Sequence, residues 1–126
     1  MITGELSALE RATRGLPHFT ARASRLPVEA GGLVIRLEGY LDGDAANTMM
    51  PVVLSLISRW DGAPSVVFDA RELEYISSLG IGVLTMARTV ARQRGMTFSL
   101  CNPRPAVLRV LELLGVTNYL SIQNQS

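Results

Sequence analysis

The stretch that decides the fold runs from Leu73 to Leu84 and reads Leu-Glu-Tyr-Ile-Ser-Ser-Leu-Gly-Ile-Gly-Val-Leu. An extended apolar segment leads into two serines and two glycines, after which apolar residues recur at helical spacing. We interpret it as a loop that delivers Ser78 to a helix N-terminus, because the serine hydroxyl accepts a hydrogen bond from a free backbone N–H there. Ser77 is the alternative N-cap, one residue earlier. The stretch therefore predicts a helix with a hydroxyl at its exposed start.

The helix that follows has an apolar stripe and an opposite, polar side. The stripe consists of Val83, Leu84, Ala87, Val90 and Ala91. On a helical wheel of about 100° per residue, the opposite side carries Ser78, Ile81, Thr85, Arg88 and Arg92. We therefore predict that Ile81 points at solvent and anchors a partner. Gly80 and Gly82 each destabilise a helix by about 1 kcal/mol relative to alanine, which favours close approach by another backbone or a partner.

Strands and helices alternate along the rest of the chain. Residues 19–25 and 33–41 alternate apolar and polar side chains, as half-buried strands do, and the turn from Pro27 to Gly32 favours an antiparallel pair. Residues 63–69 predict a central strand buried on both faces, and residues 96–101 predict a further strand. Alternation of this kind predicts an α/β fold with a parallel sheet.

Three helices are predicted between and after these strands. Because Pro51 suits only a first turn, we start one helix at Asn47 or Thr48 and end it near Trp60. Gly95 ends the second helix. The inward residues of the third are predicted to be Val107, Val110, Leu111 and Leu114. Residues 1–18 predict an N-terminal arm or short helix, residues 19–122 the domain, and residues 123–126 a tail.

Composition restricts the class of protein. A chain of 126 residues suits one domain. The single cysteine, Cys101, lies in an apolar run and indicates a buried thiol in a reduced, cytoplasmic protein. Twelve basic and eleven acidic residues give no charge excess that would favour nucleic acid as a partner. No uncharged stretch approaches the roughly 18 apolar residues of a spanning helix, so we expect no direct membrane insertion.

The motifs of common enzymes are absent from the sequence. Gly80-Ile81-Gly82 begins a dinucleotide fingerprint, but Thr85 stands at the third glycine position and a loop of about eight residues replaces the tight turn. His18 is the only histidine, which argues against a Ser-His-Asp arrangement. We therefore expect no intrinsic catalysis, no cofactor and no metal.

Four motifs together resemble a known family. They are Gly39-Tyr40-Leu41-Asp42, Val66-Val67-Phe68-Asp69, the stretch around Ser78, and Asn102-Pro103-Arg104-Pro105-Ala106-Val107. In this order they resemble a bacterial STAS domain of the anti-sigma factor antagonist type, over roughly Phe19 to Ile122. The resemblance implies a single STAS-like domain, with a mixed four- to five-stranded sheet, an antiparallel N-terminal strand pair and helices packed on the sheet.

The resemblance also implies a switch. In that family the second residue of an Asp-Ser-Ser-Gly-Leu-Gly motif is phosphorylated by an anti-sigma kinase, and this position is Ser78, with Ser77 as the alternative. The chain departs from the motif where the family's Asp is Ser77 and its second Ser is Leu79. The implied partner-binding residues are Asp42, Ser77, Ser78, Leu79, Gly80, Ile81, Gly82, Thr85 and Arg88.

The implied partners are proteins. They are an anti-sigma factor and serine kinase of the switch-kinase type, sequestered when Ser78 is unphosphorylated and released when it is phosphorylated, and a PP2C-type phosphatase. The chain itself is expected to be a monomer or weak dimer. Two other functions stay open: an accessory STAS subunit of a membrane transport complex, and a small-molecule or nucleotide binder that uses the glycine-rich turn. The first predicts co-purification with an ATP-binding transporter subunit, and the second predicts a stable ligand complex.

Overall fold

The computed structural model describes residues 2–25, 32–60 and 64–124. The predicted turn from Pro27 to Gly32 lies outside this part, except for Gly32. Its helices are α1 (Ile2–Thr13), α2 (Gly43–Arg59), α3 (Ser78–Gln93) and α4 (Pro105–Leu113). Its strands are β1 (Phe19–Arg25), β2 (Leu33–Leu41), β3 (Ser65–Ile76), β4 (Thr97–Cys101) and β5 (Ile122–Gln123).

The five strands form one mixed sheet in the order β1-β2-β3-β4-β5. β1 pairs with β2 in antiparallel fashion, and the remaining neighbours are parallel. The bounds of β1 and β2 agree with the period-two prediction, because one side of each strand is apolar and the other polar. The predicted α/β fold, with its antiparallel N-terminal pair, is confirmed.

One face of the sheet is buried under helices and the other is partly open. Val66, Phe68 and Ala70 of β3 are fully buried, whereas the alternate residues Val67 and Asp69 are half-buried. The prediction that β3 is buried on both faces is therefore wrong. Asp69 pairs with Arg36 of β2 at 3.4 Å, and such charged side chains keep this face in contact with water.

α2 starts earlier than predicted. The Oδ1 atom of Asp42 accepts a hydrogen bond of 2.9 Å from the backbone N–H of Ala45, which caps the helix at Gly43 instead of Asn47 or Thr48. Pro51 lies inside the helix on its exposed side. Burial of Ala45, Ala46 and Met49 against the core stabilises the first turns enough to offset the backbone hydrogen bond that proline cannot donate.

β3 extends further than predicted. It continues to Ile76, so Ser77 alone separates strand from helix, and the predicted loop of about eight residues is wrong. The extension pairs with the end of β2, where Tyr40 lies beside Tyr75 and Leu41 beside Ile76. This pairing buries Leu73 and Ile76, which stabilises an extended backbone that local propensity does not reveal.

Both ends of the described chain join the core. α1 packs on β1 and α2 with Leu9 fully buried. At the other end, β5 pairs with Leu100 and Cys101 of β4, so residues 122–123 form a strand at the point where a tail was predicted to begin. Leu114 is 57% exposed, contrary to prediction, because α4 ends at Leu113 and Leu114 is its C-cap.

Candidate functional site

The starts of α2 and α3 lie side by side at one edge of the sheet. β2 and β3 are parallel and end together, so Asp42 and Ser77 follow them at equivalent positions. The carbonyl oxygen of Leu41 accepts hydrogen bonds from both the backbone N–H of Ser77, at 2.9 Å, and its Oγ, at 3.1 Å. Two helix N-termini, each with partial positive charge, are thereby held next to one another.

Ser77, not Ser78, caps α3. The Oγ atom of Ser77 accepts a hydrogen bond of 3.1 Å from the N–H of Gly80 while its proton goes to Leu41, so both functions of this hydroxyl serve the fold. The prediction that Ser78 is the cap is wrong, and the alternative is confirmed. Ser78 is the first helical residue and is exposed. Its hydroxyl makes no hydrogen bond with residues 2–25, 32–60 or 64–124.

The two glycines of α3 differ in their surroundings. A Cβ atom on Gly80 would lie 2.8 Å from the Cγ of Leu41 and 2.9 Å from the Cγ1 of Ile76, so glycine allows the helix to approach both strands. A Cβ atom on Gly82 would have no neighbour within 4 Å among the described residues, apart from the backbone of its own helix. Close approach within the chain therefore explains Gly80, and Gly82 leaves open space on the outer side of the helix.

The prediction that Ile81 points at solvent is wrong. Its side chain is only 7% exposed and belongs to the core. The buried residues of α3 are Gly80, Ile81, Val83, Leu84, Ala87 and Ala91. This face excludes the half-buried Val90 of the predicted stripe and extends to Ile81, so its centre lies about 30–40° further round the helix than the stripe predicts. Ile81 therefore cannot anchor a partner without leaving the core.

An apolar strip instead faces solvent on the outer side of α3. Leu79 is 54% exposed and Met86 is 45% exposed. Gly82 lies between them on the same side. Leu79 rests against the start of α2, where a Cβ atom on Gly43 would be 3.3 Å from the Leu79 Cδ1. We call Ser78, Leu79, Gly82 and Met86 the outer strip.

Two predicted site residues lie apart from Ser78. Thr85 donates its hydroxyl proton to the carbonyl of Gly82, at 3.0 Å, within α3. Arg88 lies roughly 15 Å along the helix from Ser78. Its guanidinium carbon is 3.9 Å from the ring centroid of Tyr119, near the other end of the sheet. The structure brings Asp42, Ser77, Ser78, Leu79 and Gly82 together, and it does not bring Arg88 to them.

Sequence reasoning missed an aromatic cluster beside Asp42. Tyr40 and Tyr75 are about half exposed, with ring centroids 6.1 Å apart, and His18 meets Tyr40 edge-on at 6.3 Å. Together with Asp42 these side chains line a cavity of about 490 Å³. The alternation of β2 does indicate that Tyr40 is exposed, because Tyr40 lies on the polar side of the strand with Arg36 and Glu38.

The described residues contain neither a metal-type cluster nor a membrane span. No group of three or more His, Cys, Asp or Glu side chains comes together in them. None of the described helices is both long enough and apolar enough to cross a bilayer.

Similarity to known proteins identifies the family of the chain. Residues 24–126 match the STAS domain. The chain belongs to the STAS domain family. This STAS domain is 26% identical over 92 residues to the anti-sigma F factor antagonist of Paenibacillus polymyxa, covering 73% of this chain and 78% of that protein.

The STAS fold is also found in solved structures. The anti-sigma factor antagonist SpoIIAA in its unphosphorylated form superposes with a TM-score of 0.68 at 20% identity, covering 82% of this chain and 88% of that one. The phosphorylated form of the Bacillus cell fate determinant SpoIIAA superposes with a TM-score of 0.62 at 19% identity, covering 82% and 91% of the two chains. At these identities the likeness shows the fold.

Proposed function

We propose that the chain is an anti-sigma factor antagonist, a non-catalytic STAS domain that binds and sequesters an anti-sigma factor. The family supports this proposal, as does the relative named an anti-sigma F factor antagonist. The observation that carries it is an exposed Ser78 whose hydroxyl makes no hydrogen bond with the described residues, beside the exposed Leu79 and the half-buried Gly82. A surface of this kind suits a protein partner, because small and apolar side chains allow close, dry contact.

The proposed binding surface is formed by the starts of α2 and α3. It contains the outer strip together with Asp42, which is exposed beside it. Leu79 supplies the apolar contact that was expected of Ile81, and Gly82 allows the partner backbone to come close. Thr85 and Arg88 are not central to this surface, because one is bonded within α3 and the other stacks on Tyr119.

We propose further that phosphorylation of Ser78 releases the partner. A phosphate adds about −1.5 to −2 charges and is tolerated at a helix N-terminus, where the dipole and free N–H groups favour an anion. The N–H groups of Ser78 and Leu79 lie in the first turn, where no intrahelical acceptor exists. Against a partner surface shaped for a hydroxyl, the same charge is repulsive. Binding is therefore lost while the fold is kept.

Ser78 suits this role better than Ser77. The Ser77 oxygen is engaged with both Leu41 and Gly80, so a phosphate there would break the cap. The proposed kinase is the anti-sigma factor itself, a serine kinase of the switch-kinase type, and a PP2C-type phosphatase would restore the hydroxyl. SpoIIAA, which shares the fold, has been solved in both unphosphorylated and phosphorylated forms. Such partners imply a cytoplasmic location.

Ser78→Asp tests the switch. The tagged chain is used to capture its partner, and affinity is then measured for the unmodified chain and the variant. We expect Ser78→Asp to weaken binding at least tenfold, about 1.4 kcal/mol, with unfolding free energy changed by less than about 1 kcal/mol. Intact mass after incubation with the partner and ATP is expected to rise by one phosphate, and Ser78→Ala is expected to abolish the rise.

Ser55→Asp is the matched control. Ser55 is exposed on α2, roughly 20 Å along the helix from Asp42. Ser55→Asp therefore adds the same charge outside the proposed binding surface. Unchanged affinity of Ser78→Asp, or equal loss with Ser55→Asp, contradicts the switch. Capture of an ATP-binding transporter subunit in place of an anti-sigma factor contradicts the proposed function and favours the accessory-subunit alternative.

A further inference from the structure

A second cavity lies at the opposite end of α3 from Ser78. It has a volume of about 380 Å³ and opens between the last turns of α3, the start of β4 and the residues before β5. Arg88 and Arg92 form its wall, Met96 and Phe98 its floor, and Ser121 its rim. Small-molecule sites begin at about 300 Å³, so this cavity has room for a ligand.

The wall of this cavity is cationic and uncompensated. Arg88 and Arg92 are four residues apart on one helix face, where like charges repel each other. Neither forms an ion pair with a carboxylate within residues 2–25, 32–60 and 64–124. Two other arginines differ, since Arg36 pairs with Asp69 at 3.4 Å and Arg104 with Glu72 at 3.1 Å. Two guanidinium groups that no carboxylate of the described residues neutralises favour a bound anion.

Arg88 is already held in a fixed position. Its guanidinium carbon lies 3.9 Å from the ring centroid of Tyr119, a cation–π contact. Hydrogen bonding with Thr89, and then with Arg88, lowers the pKa of the Tyr119 hydroxyl. The aromatic ring covers one flat side of the guanidinium, whereas the N–H donors of a guanidinium lie in its plane. Stacking therefore reduces the entropy that Arg88 would lose on binding an anion.

The floor of the cavity is apolar. Met96 is 4% exposed and Phe98 is 7% exposed, so both present only an edge to the cavity. Ser121 is exposed at the rim and holds a φ of 50°, a left-handed backbone conformation that is uncommon for a serine. A ligand that fits needs an anionic head for the two arginines and an apolar or aromatic body for the floor.

We propose that this cavity binds a small phosphate monoester with an apolar or aromatic body. At neutral pH a phosphate monoester carries close to two negative charges, which matches the two guanidinium groups. Its oxygens accept the paired, parallel hydrogen bonds that arginine donates. The site is distinct from the proposed partner surface, because Arg88 and Arg92 lie roughly 15 Å or more along α3 from Ser78 and about 120–160° around the helix from Met86. The STAS domain would then sense a metabolite independently of its switch.

Phenyl phosphate is a suitable probe. Titrated into the full chain labelled with ¹⁵N, it is expected to produce saturable shifts in the amides of residues 92–98 and 121. Inorganic phosphate and phenol each carry half of the recognised chemistry, and we expect each to bind at least tenfold more weakly. Equal affinity for inorganic phosphate overturns the role of the apolar floor, and absence of saturable shifts overturns the site.

Arg92→Gln tests the cationic wall. Arg92 is exposed on α3 and glutamine is a good helix former, so we expect the fold to persist. Affinity for phenyl phosphate is expected to fall about tenfold or more, since charged hydrogen bonds are the strong ones. Arg109→Gln removes the same charge from the exposed side of α4. Arg109→Gln is expected to leave the affinity for phenyl phosphate unchanged. If both variants lose affinity equally, net charge alone attracts the probe and the role of the cationic wall is overturned.

Two variants of Tyr119 test whether its ring positions Arg88 for ligand binding. Tyr119→Phe keeps the ring beneath Arg88 and is expected to keep most of the affinity, whereas Tyr119→Leu removes the cation–π contact and is expected to lower it several-fold. Equal affinities of the two variants overturn the positioning role of Tyr119.

Discussion

The two glycines of α3 give the sharpest test at the scale of single residues. Gly80→Ala places a methyl group 2.8 Å from Leu41 and 2.9 Å from Ile76, and we expect it to destabilise the chain by about 1–3 kcal/mol through overpacking. Gly82→Ala meets no neighbour within 4 Å, and we expect it to stabilise the helix by up to about 1 kcal/mol. Urea denaturation of both variants measures the difference.

Partner binding adds a second measurement on the same pair. If Gly82 lets a partner come close, Gly82→Ala loses affinity although it gains stability. Full affinity in this variant contradicts the placement of Gly82 in the binding surface. A stable Gly80→Ala variant contradicts the close approach of α3 to the ends of β2 and β3.

Cys101 predicts a dependence of stability on pH. Its side chain is 2% exposed, and burial is the main cause that raises the pKa of the thiol. Above about pH 8.5 the unfolded chain loses the thiol proton while the folded chain retains it. The thiol therefore contributes full stability below that pH, and the contribution falls as pH rises towards the raised value.

The measurement compares the unmodified chain with Cys101→Ala between pH 7.5 and 9.5. We expect the difference in unfolding free energy to shrink at the alkaline end. Taking the difference removes the contribution of Tyr119, whose lowered pKa acts in the opposite sense. A constant difference across this range contradicts a buried, protonated thiol.

Ile81 shows where residue-level prediction failed. Periodicity predicts a buried face that runs from Val90 to Leu84 on the wheel, with Ile81 opposite it. The structure centres that face nearer Leu84 and Ala87, which brings Ile81 into the core. In the first turn, the approach of Gly80 to Leu41 fixes the rotation of the helix. That is a tertiary contact, and periodicity along one segment does not contain it.

At the scale of elements, Asp42 links a cap to a proposed interface. Asp42→Ala removes the hydrogen bond to the Ala45 N–H, and we expect it to destabilise the chain by about 1 kcal/mol. Asparagine is an equally good N-cap, so Asp42→Asn is expected to stay within about 1 kcal/mol of the parent in denaturation.

The same two variants decide whether the carboxylate serves only α2. If the partner recognises its charge, Asp42→Asn loses affinity as strongly as Asp42→Ala. If Asp42 only caps the helix, Asp42→Asn binds like the parent chain. Affinity measured beside unfolding free energy distinguishes the two results.

Element boundaries were predictable where the pattern was local. β1 and β2 begin and end as their alternation indicates, and Gly95 follows α3 with a φ of 74°, as expected of a helix terminus. The start of α2 and the end of β3 were not predictable in this way. The end of β3 depends on its parallel pairing with β2, which joins residues about 35 positions apart in the chain. The start of α2 depends on burial of Ala45, Ala46 and Met49 against the core.

At the scale of the whole molecule, α1 belongs to the core although the family match begins at residue 24. The buried Thr13 hydroxyl accepts a hydrogen bond of 3.1 Å from the N–H of Ala21 and donates to the carbonyl of Leu9 at 3.1 Å. Thr13→Val keeps the shape but leaves the buried N–H unsatisfied, and we expect a loss of about 1–3 kcal/mol of unfolding free energy.

Thr13→Ser is the matched control. It keeps the hydroxyl and is expected to restore most of the stability that Thr13→Val loses. Chemical denaturation of both variants measures the effect, and equal stability of Thr13→Val and the parent would mean that α1 is only loosely attached to β1.

The order of strands in the sheet bears on how the chain folds. Each strand lies beside the one that precedes it along the chain. Each new pairing therefore closes the shortest loop that a parallel connection allows, and the entropy of closure grows with loop length. Since folding rates fall as contacts become more distant in sequence, this arrangement favours fast folding for a chain with parallel strands. Trp60 is 1% exposed and is the single tryptophan, so stopped-flow fluorescence follows the reaction directly. During synthesis on a ribosome, each new strand would emerge after the strand that it pairs with, so it could add directly to the free edge of a sheet already formed.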